Sequence, residues 1–199
     1  LKFKKISVVV KNIKKGDINS YNDLEIIKGG KTRSESVKNA LNKSNFKSKY
    51  VIIHDAARPL NSKRIINEIT KNLINKKYDC VVPYNKCSDT VVVKHENLDR
   101  EKLKLIKTPQ GFVKNKITYL NNSNNEKKLT DDSQLFRYKK NKYKIKYILQ
   151  NEINIKVTYK DELDSLNKLA ENNILVGIGY DIHRTIKTNK NNLLKLGGA

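Results

Sequence analysis

The chain has 199 residues, enough for one full domain with its own core, and its 42 lysines and arginines against 20 acidic residues leave a formal charge of +22. The excess is lysine scattered beside asparagine and isoleucine, as AT-rich coding produces, with arginine only at Arg33, Arg58, Arg64, Arg100, Arg137 and Arg184; without zinc-finger spacing or an aromatic RNA-binding motif, no nucleic-acid partner is expected. Two cysteines, Cys80 and Cys87, form no zinc knuckle, no apolar stretch is long enough to cross a bilayer and the N-terminal residues hold no signal-peptide core, so a soluble cytoplasmic protein with no membrane partner is expected.

Leu1 opens a chain that lacks methionine, and Ala199 follows directly on Gly197-Gly198, so both ends read as interior to a longer product. The apolar run at 6–10 predicts a first strand, and Lys14-Lys15-Gly16 a surface turn. A second strand at 24–27 runs into Gly29-Gly30, a pair suited to a tight turn. A helix begins around Thr32 and carries Ser36 near its start, then Val37, Ala40 and Leu41.

A third strand at 50–53 ends on His54-Asp55-Ala56-Ala57-Arg58-Pro59. Open α/β sheets bind ligands outside the carboxyl ends of their strands, where a carboxylate can hold a metal ion against a phosphate. Ala56 and Ala57 leave room for close approach, and Arg58 offers a planar fork of donors. The bland reading is an aspartate that caps a turn and an arginine in a surface ion pair. His54 is expected to face the sheet interior.

Ser62 is a plausible helix cap, followed by Ile65, Ile66, Ile69 and Leu73 at helical spacing. A strand at 79–82 comes next. Residues 84–110 break the rhythm, with short β segments at 90–94 and 103–107 about the charged turn Lys94-His95-Glu96-Asn97, as a projecting β-arm would. A polar loop at 121–125 precedes a helix after Thr130-Asp131 that places Leu135 and Phe136 on one face. Strands at 146–149 and 155–157 lead to a helix at 161–169. Lys156, between Ile155 and Val157, must either snorkel outward or point into a site that holds anions. Asn172-Asn173 marks a junction, after which a new apolar run begins. Asp181 and His183 share one face of a strand and suit zinc if a third ligand closes the site. Strands alternating with helices imply an α/β fold with a mostly parallel sheet covered on both faces.

The string HDAARP resembles the central motif of the 2-C-methyl-D-erythritol 4-phosphate cytidylyltransferases of the non-mevalonate isoprenoid pathway. Four further matches follow the family's order: Gly29-Gly30 with Arg33, Ser36 and Val37; Asp89-Thr90; Thr108-Pro109-Gln110; and Asn154-Ile155-Lys156-Val157-Thr158. The resemblance implies a Rossmann-like nucleotidyltransferase fold whose arm supports a homodimer. It implies CTP and methylerythritol phosphate as substrates and Mg²⁺ as cofactor. Asp55 would be the metal-side catalytic carboxylate and Lys156 a phosphate contact. Gly29, Gly30 and Ser36 would line the cytosine side, with Ala56, Arg58, Asp89 and Thr90 also binding substrate. Thr108 and Arg100 would hold the methylerythritol phosphate, Arg100 reaching across from the partner subunit. Lys31 and Val92 depart from the family, which can carry aspartate and lysine there, and its glycine-rich triphosphate loop has no counterpart.

Gly177-Ile178-Gly179-Tyr180-Asp181-Ile182-His183-Arg184 with Leu196-Gly197-Gly198 is similar to the opening of 2-C-methyl-D-erythritol 2,4-cyclodiphosphate synthase, an α+β enzyme. The implied organisation is a cytidylyltransferase domain over 1–173 and the first strands of a cyclodiphosphate synthase over 174–199, with Zn²⁺ or a similar divalent metal at Asp181 and His183. These residues alone are expected to be inactive. Another CTP-dependent sugar- or alditol-phosphate nucleotidyltransferase is the alternative enzyme, and a basic nucleic-acid-binding domain the alternative outside enzymes.

Overall fold

Cys80, Val81 and Val82 are all fully buried, yet successive side chains on a strand point to opposite faces, so the strand that holds them must be covered on both sides. A computed structural model of the chain describes residues 3, 5–11, 24–44, 47–124, 129–139 and 142–170, and shows how that covering is built. In chain order the elements are β1 (Ile6–Val10), β2 (Leu24–Lys28), α1 (Arg33–Lys43), β3 (Tyr50–Ile53), α2 (Lys63–Ile74), β4 (Cys80–Lys86), β5 (Val91–Val93), β6 (Glu96–Leu98), β7 (Lys104–Ile106), β8 (Gln110–Val113), α3 (Lys114–Asn122), α4 (Gln134–Arg137), β9 (Ile145–Leu149) and α5 (Lys160–Ala170). A single 3₁₀ turn, Arg100–Lys102, lies between β6 and β7.

Five strands form the main sheet, in the order β3-β8-β4-β7 with β9 also paired to β4. β3, β4 and β9 run one way; β7 and β8 run against them. The sheet is therefore mixed, and the mostly parallel sheet expected from the sequence holds only for the directions of β3, β4 and β9. A parallel pair, β1 and β2, forms a second small sheet. The antiparallel hairpin of β5 and β6 is the tip of the expected arm.

α2 covers one face. Ser62 accepts a hydrogen bond from the Ile65 amide at 3.2 Å and so caps the helix, as its sequence suggested. Ile65, Ile69 and Leu73 then pack with Val81 and Ile148. At roughly 1.5–3 kcal/mol for each fully buried side chain, this stripe alone outweighs the helix's weak intrinsic propensity. The opposite face holds Cys80, Val82, Phe112, Ile117, Leu120, Leu135 and Phe136, with the Phe112 and Phe136 rings stacked at 5.5 Å. Leu41 of α1 joins this cluster.

Four sequence expectations differ locally. β8 and α3 form where no element was anticipated, the helix after Thr130-Asp131 is the single turn α4, and residues 155–157 make no strand. That last segment docks instead through one backbone bond, Val157 N to Ala57 O at 2.7 Å. The surface turn at 14–16, the junction at 172–173, and Asp181 and His183 lie outside the described residues.

Candidate active site

Because β3, β4 and β9 share a direction, the segments that follow β3 and β9 emerge at one edge of the sheet. β8 runs the other way, so its approach, Thr108-Pro109, arrives at that same edge. Topology thus gathers residues 54–58, 108 and 150–157, which are far apart in sequence.

Asp55 is the focus. Its side chain is 16% exposed and three cations surround it. The Arg33 Nη2 lies 3.0 Å from Oδ1, the Arg58 Nε 3.7 Å from Oδ2, and the Lys156 Nζ 3.9 Å from Oδ2. Arg33 also reaches Asp132, whose carboxylate is almost wholly buried, with Nη2 donating to Oδ2 at 2.8 Å. Burial alone would disfavour charge on both partners. The nearby carboxylates of Asp132 and Asp55 overturn this for Arg33, whose pKa is raised above its ordinary value, while the cost of burial falls on Asp132, whose carboxyl is raised despite the guanidinium.

The turn that presents Asp55 is held by a chain of hydrogen bonds. The Asp55 amide donates to Thr108 Oγ1 at 3.1 Å, and Thr108 Oγ1 lies 3.1 Å from His54 Nδ1. His54 Nε2 is 2.9 Å from the Arg58 carbonyl, which can only accept, so Nε2 carries the proton and Nδ1 accepts from the threonine hydroxyl. Burial lowers the His54 pKa, in keeping with a neutral ring. This corrects the expectation for His54: its ring stands at the sheet edge, tying Thr108 to the 54–58 turn, and the residue as a whole is exposed.

Arg58 is itself buried, and burial lowers its pKa. Its Nη1 donates to the Asn154 carbonyl at 2.9 Å, while the Asn154 side-chain amide donates to the Thr108 carbonyl at 2.8 Å and to Gln150 at 2.9 Å. These bonds lay the 150–157 segment against the 55–58 turn and bring Lys156 to Asp55. Lys107, half-buried beside Thr108, adds a further positive charge; burial and then Arg58 lower its pKa.

Gly29-Gly30 leads into α1, whose first residue is Arg33. The Gly29 amide donates to the Val10 carbonyl at 2.8 Å and the Gly30 amide to Ser36 Oγ at 3.0 Å; Ser36 Oγ in turn donates to the Thr32 carbonyl at 2.9 Å. A Cβ on Gly30 would stand 2.3 Å from the Glu35 Cβ, so the close turn requires glycine there. Ser36 therefore spends its hydroxyl on shaping the turn. Ala57 is buried and Ala56 half-buried beneath the same edge.

Asp89, Thr90 and Arg100 stand apart. All three are exposed on the arm, where Arg100 Nη1 donates to the Ser88 carbonyl at 2.8 Å. Two residues at the Asp55 centre had no role in the sequence reading. Arg33 was noticed only as part of a motif, and Asp132 was not singled out at all; a carboxylate just ahead of the buried Leu135-Phe136 pair was the available signal.

The model of the 2-C-methyl-D-erythritol 4-phosphate cytidylyltransferase family matches residues 2–171. The chain belongs to this family. A bifunctional enzyme IspD/IspF of Pelagibacter ubique is 42% identical over 208 residues, covering 100% of this chain and 52% of that relative. One from Campylobacter lari is 36% identical, covering 89% of this chain and 45% of the relative. The chain thus spans about half the length of the curated relatives it matches. Among solved structures, the bifunctional IspDF of Campylobacter jejuni superposes with a TM-score of 0.71 at 36% identity, over 81% of this chain and 42% of that one. The Francisella tularensis 2-C-methyl-D-erythritol 4-phosphate cytidylyltransferase superposes with a TM-score of 0.72 at 27% identity, over 83% and 80%. The α/β nucleotidyltransferase fold of the cytidylyltransferase family is therefore the fold of this chain. Among the described residues, no helix is long and apolar enough to cross a membrane.

Proposed function

We propose that this chain carries the cytidylyltransferase half of a bifunctional enzyme of isoprenoid precursor synthesis. The observation that carries this reading is Asp55 ringed by Arg33, Arg58 and Lys156 at the strand-end edge of a chain that belongs to the family. In the reaction a phosphate oxygen of 2-C-methyl-D-erythritol 4-phosphate attacks the α-phosphorus of CTP. The bond from that phosphorus to the β-phosphate bridging oxygen breaks, and pyrophosphate leaves with the electron pair. Such a transfer asks the protein to align two anions and to neutralise charge on the phosphate oxygens, more than to form bonds of its own.

Lys156 is 45% exposed and only loosely paired, so it can turn its charge to a phosphate without losing a tight partner. Arg58, fixed by Asn154, presents its guanidinium from a set position. Thr108 and Ala56 border the same edge, and Gly29, Gly30 and Ser36 form the turn beside it; in this reading they accept the alcohol phosphate and the cytidine. Asp89 and Thr90 also bind substrate in this reading, and Arg100 would complete the site of a partner subunit through the arm.

Among the described residues no group of three or more histidine, cysteine or acidic side chains could hold a metal ion. Asp55 suits Mg²⁺ in a narrower way, as one carboxylate oxygen offered to an ion that arrives with the triphosphate, which is how Mg²⁺ is commonly held. When bound, the ion would neutralise charge on the phosphates. A zinc-dependent cyclodiphosphate synthase half starting near residue 174, with Asp181 and His183 as ligands, completes the proposal; its support is the bifunctional relatives and a family match that ends at residue 171.

The test is pyrophosphate release from CTP, Mg²⁺ and methylerythritol phosphate, measured with the complete gene product and with these 199 residues side by side. The complete product should turn over and the shorter chain should not. No release from the complete product overturns the function; brisk release from the shorter chain would show that the needed cations are already here.

A further inference from the structure

Arg33 opens α1 with its guanidinium between two carboxylates. Nε donates to Asp55 Oδ1 at 3.0 Å, and Nη2, 3.0 Å from that same oxygen, donates to Asp132 Oδ2 at 2.8 Å. Oδ1 of Asp55 is thus gripped. Oδ2 is not: Arg58 Nε at 3.7 Å and Lys156 Nζ at 3.9 Å stand at ion-pair range but beyond hydrogen-bond range. Behind this arrangement Asp132 is 1% exposed, and its Oδ1, like Arg33 Nη1, is buried without a hydrogen-bond partner.

A buried ion pair with unpartnered atoms is a poor source of stability, since an apolar pair of similar volume would avoid the desolvation cost. What the pair does supply is direction. Held at one end by Asp132, the planar guanidinium has a fixed plane, and the oxygen of Asp55 that it meets is fixed with it. Lysine has the charge but not the fork, so it could not bond Nε-like and Nη-like to two carboxylates from one rigid plane.

We propose that Arg33, aimed by Asp132, is the positioning residue for Asp55: it pins Oδ1 and leaves Oδ2 as the oxygen that meets the reacting phosphates and their cation. This rests on the cytidylyltransferase reading of the site. Neither arginine nor aspartate then touches the substrate; both act through Asp55.

The experiment uses the complete gene product with Arg33→Met, Arg33→Lys and Asp132→Asn, each alone and combined with Asp55→Asn. Alone, Arg33→Met should lower kcat about a hundredfold, the scale of one lost preorganised electrostatic contact. The KM for CTP should stay within about threefold, because ground-state binding is not what is lost. Arg33→Lys should recover little of the loss. In the Asp55→Asn background the same substitutions should cost less than about threefold, since residues acting through one group are not additive. Additive losses, or a loss wholly in KM, would overturn the assignment.

A second readout does not depend on turnover. Crystal structures of Arg33→Lys and Asp132→Asn should show the Asp55 carboxylate rotated, with Oδ1 released; an unmoved carboxylate overturns the proposal. These near-isosteric variants also stand in should Arg33→Met fail to fold. An unsubstituted protein without turnover would overturn the function reading, while the crystal structures would still decide the positioning role.

Discussion

Asp55→Asn preserves volume while removing the one charge that faces Arg33, Arg58 and Lys156 together, so its effects should appear in chemistry and in stability at once. Turnover should fall by at least about a hundredfold, and Lys156→Ala should lower it in the same direction, read as kcat/KM for CTP. The melting temperature should fall for Asp55→Asn, because Arg58 would stay buried without its counter-charge, and hold for Lys156→Ala, whose ammonium is half-exposed. A second carboxylate acts from further out. Glu152 takes both the Nε and Nη2 of Arg64 and the Ser62 hydroxyl, so it ties the segment leading to Lys156 onto the start of α2. The Arg64 hydrogen bonds hold the Glu152 pKa down, to about 2 against an ordinary 4.5. A folded-state pKa below the unfolded one means stability that is present above about 4.5 and lost as pH falls towards about 2. Glu152→Gln should therefore lower the melting temperature at neutral pH, with the difference from the parent protein closing across that acid window. At this scale Asp55, Arg58 and Lys156 were visible as residue types in suggestive places. The task of His54 was not, since alternation along a strand says which face a side chain takes only while the strand continues, and β3 ends at Ile53.

Elements were legible where periodicity was strong and where one partner decides burial. α2 shows this, because Ile65, Ile69 and Leu73 fall on one stripe and Ser62 marks its start. α3 was not, because only Ile117, Leu120 and Asn121 of its nine residues are buried and the rest are polar apart from the exposed Tyr119. β8 hid for another reason: Gln110, Gly111 and Phe112 are buried on both faces, so they show no alternation. Residues 155–157 had the alternation of a strand but found no neighbouring strand, and a ladder needs one. Gly111 records how closely α2 lies on β8. A Cβ there would stand 2.2 Å from Ile69 Cγ2 and 2.8 Å from Leu73 Cδ1. Gly111→Ala should destabilise the protein by about 1–3 kcal/mol through overpacking, checked by chemical denaturation. A value near zero would mean that α2 shifts freely on the sheet.

For the whole molecule the arm is the part that exposes a cluster of apolar side chains. Val92, Val93, Leu98 and Leu105 are all at least 40% exposed, clustered on β5, β6 and β7 of the arm. Read as a dimerisation arm, this surface predicts that Val92→Glu with Val93→Glu converts a dimer of the complete protein to monomers in light scattering. Unchanged mass would remove the arm from that role. The same variant should lose turnover only if Arg100 serves the neighbouring subunit.

Read along the chain, alternating strand and helix patterns were enough to point to an α/β fold, because local patterns report burial and turn chemistry one element at a time, and five short motifs carried the resemblance to the cytidylyltransferases. Whether β8 runs with or against its neighbours is not a local property, and on it depends the arrival of Thr108 beside Asp55. The Arg33–Asp132 pair is a contact between residues 99 apart in sequence. Nothing nearby in the chain constrains either partner to the other. Only when the sheet edge, the start of α1 and the turn before α4 are packed together does a guanidinium come to lie between two carboxylates, since charges buried at such a junction must find each other once water is excluded.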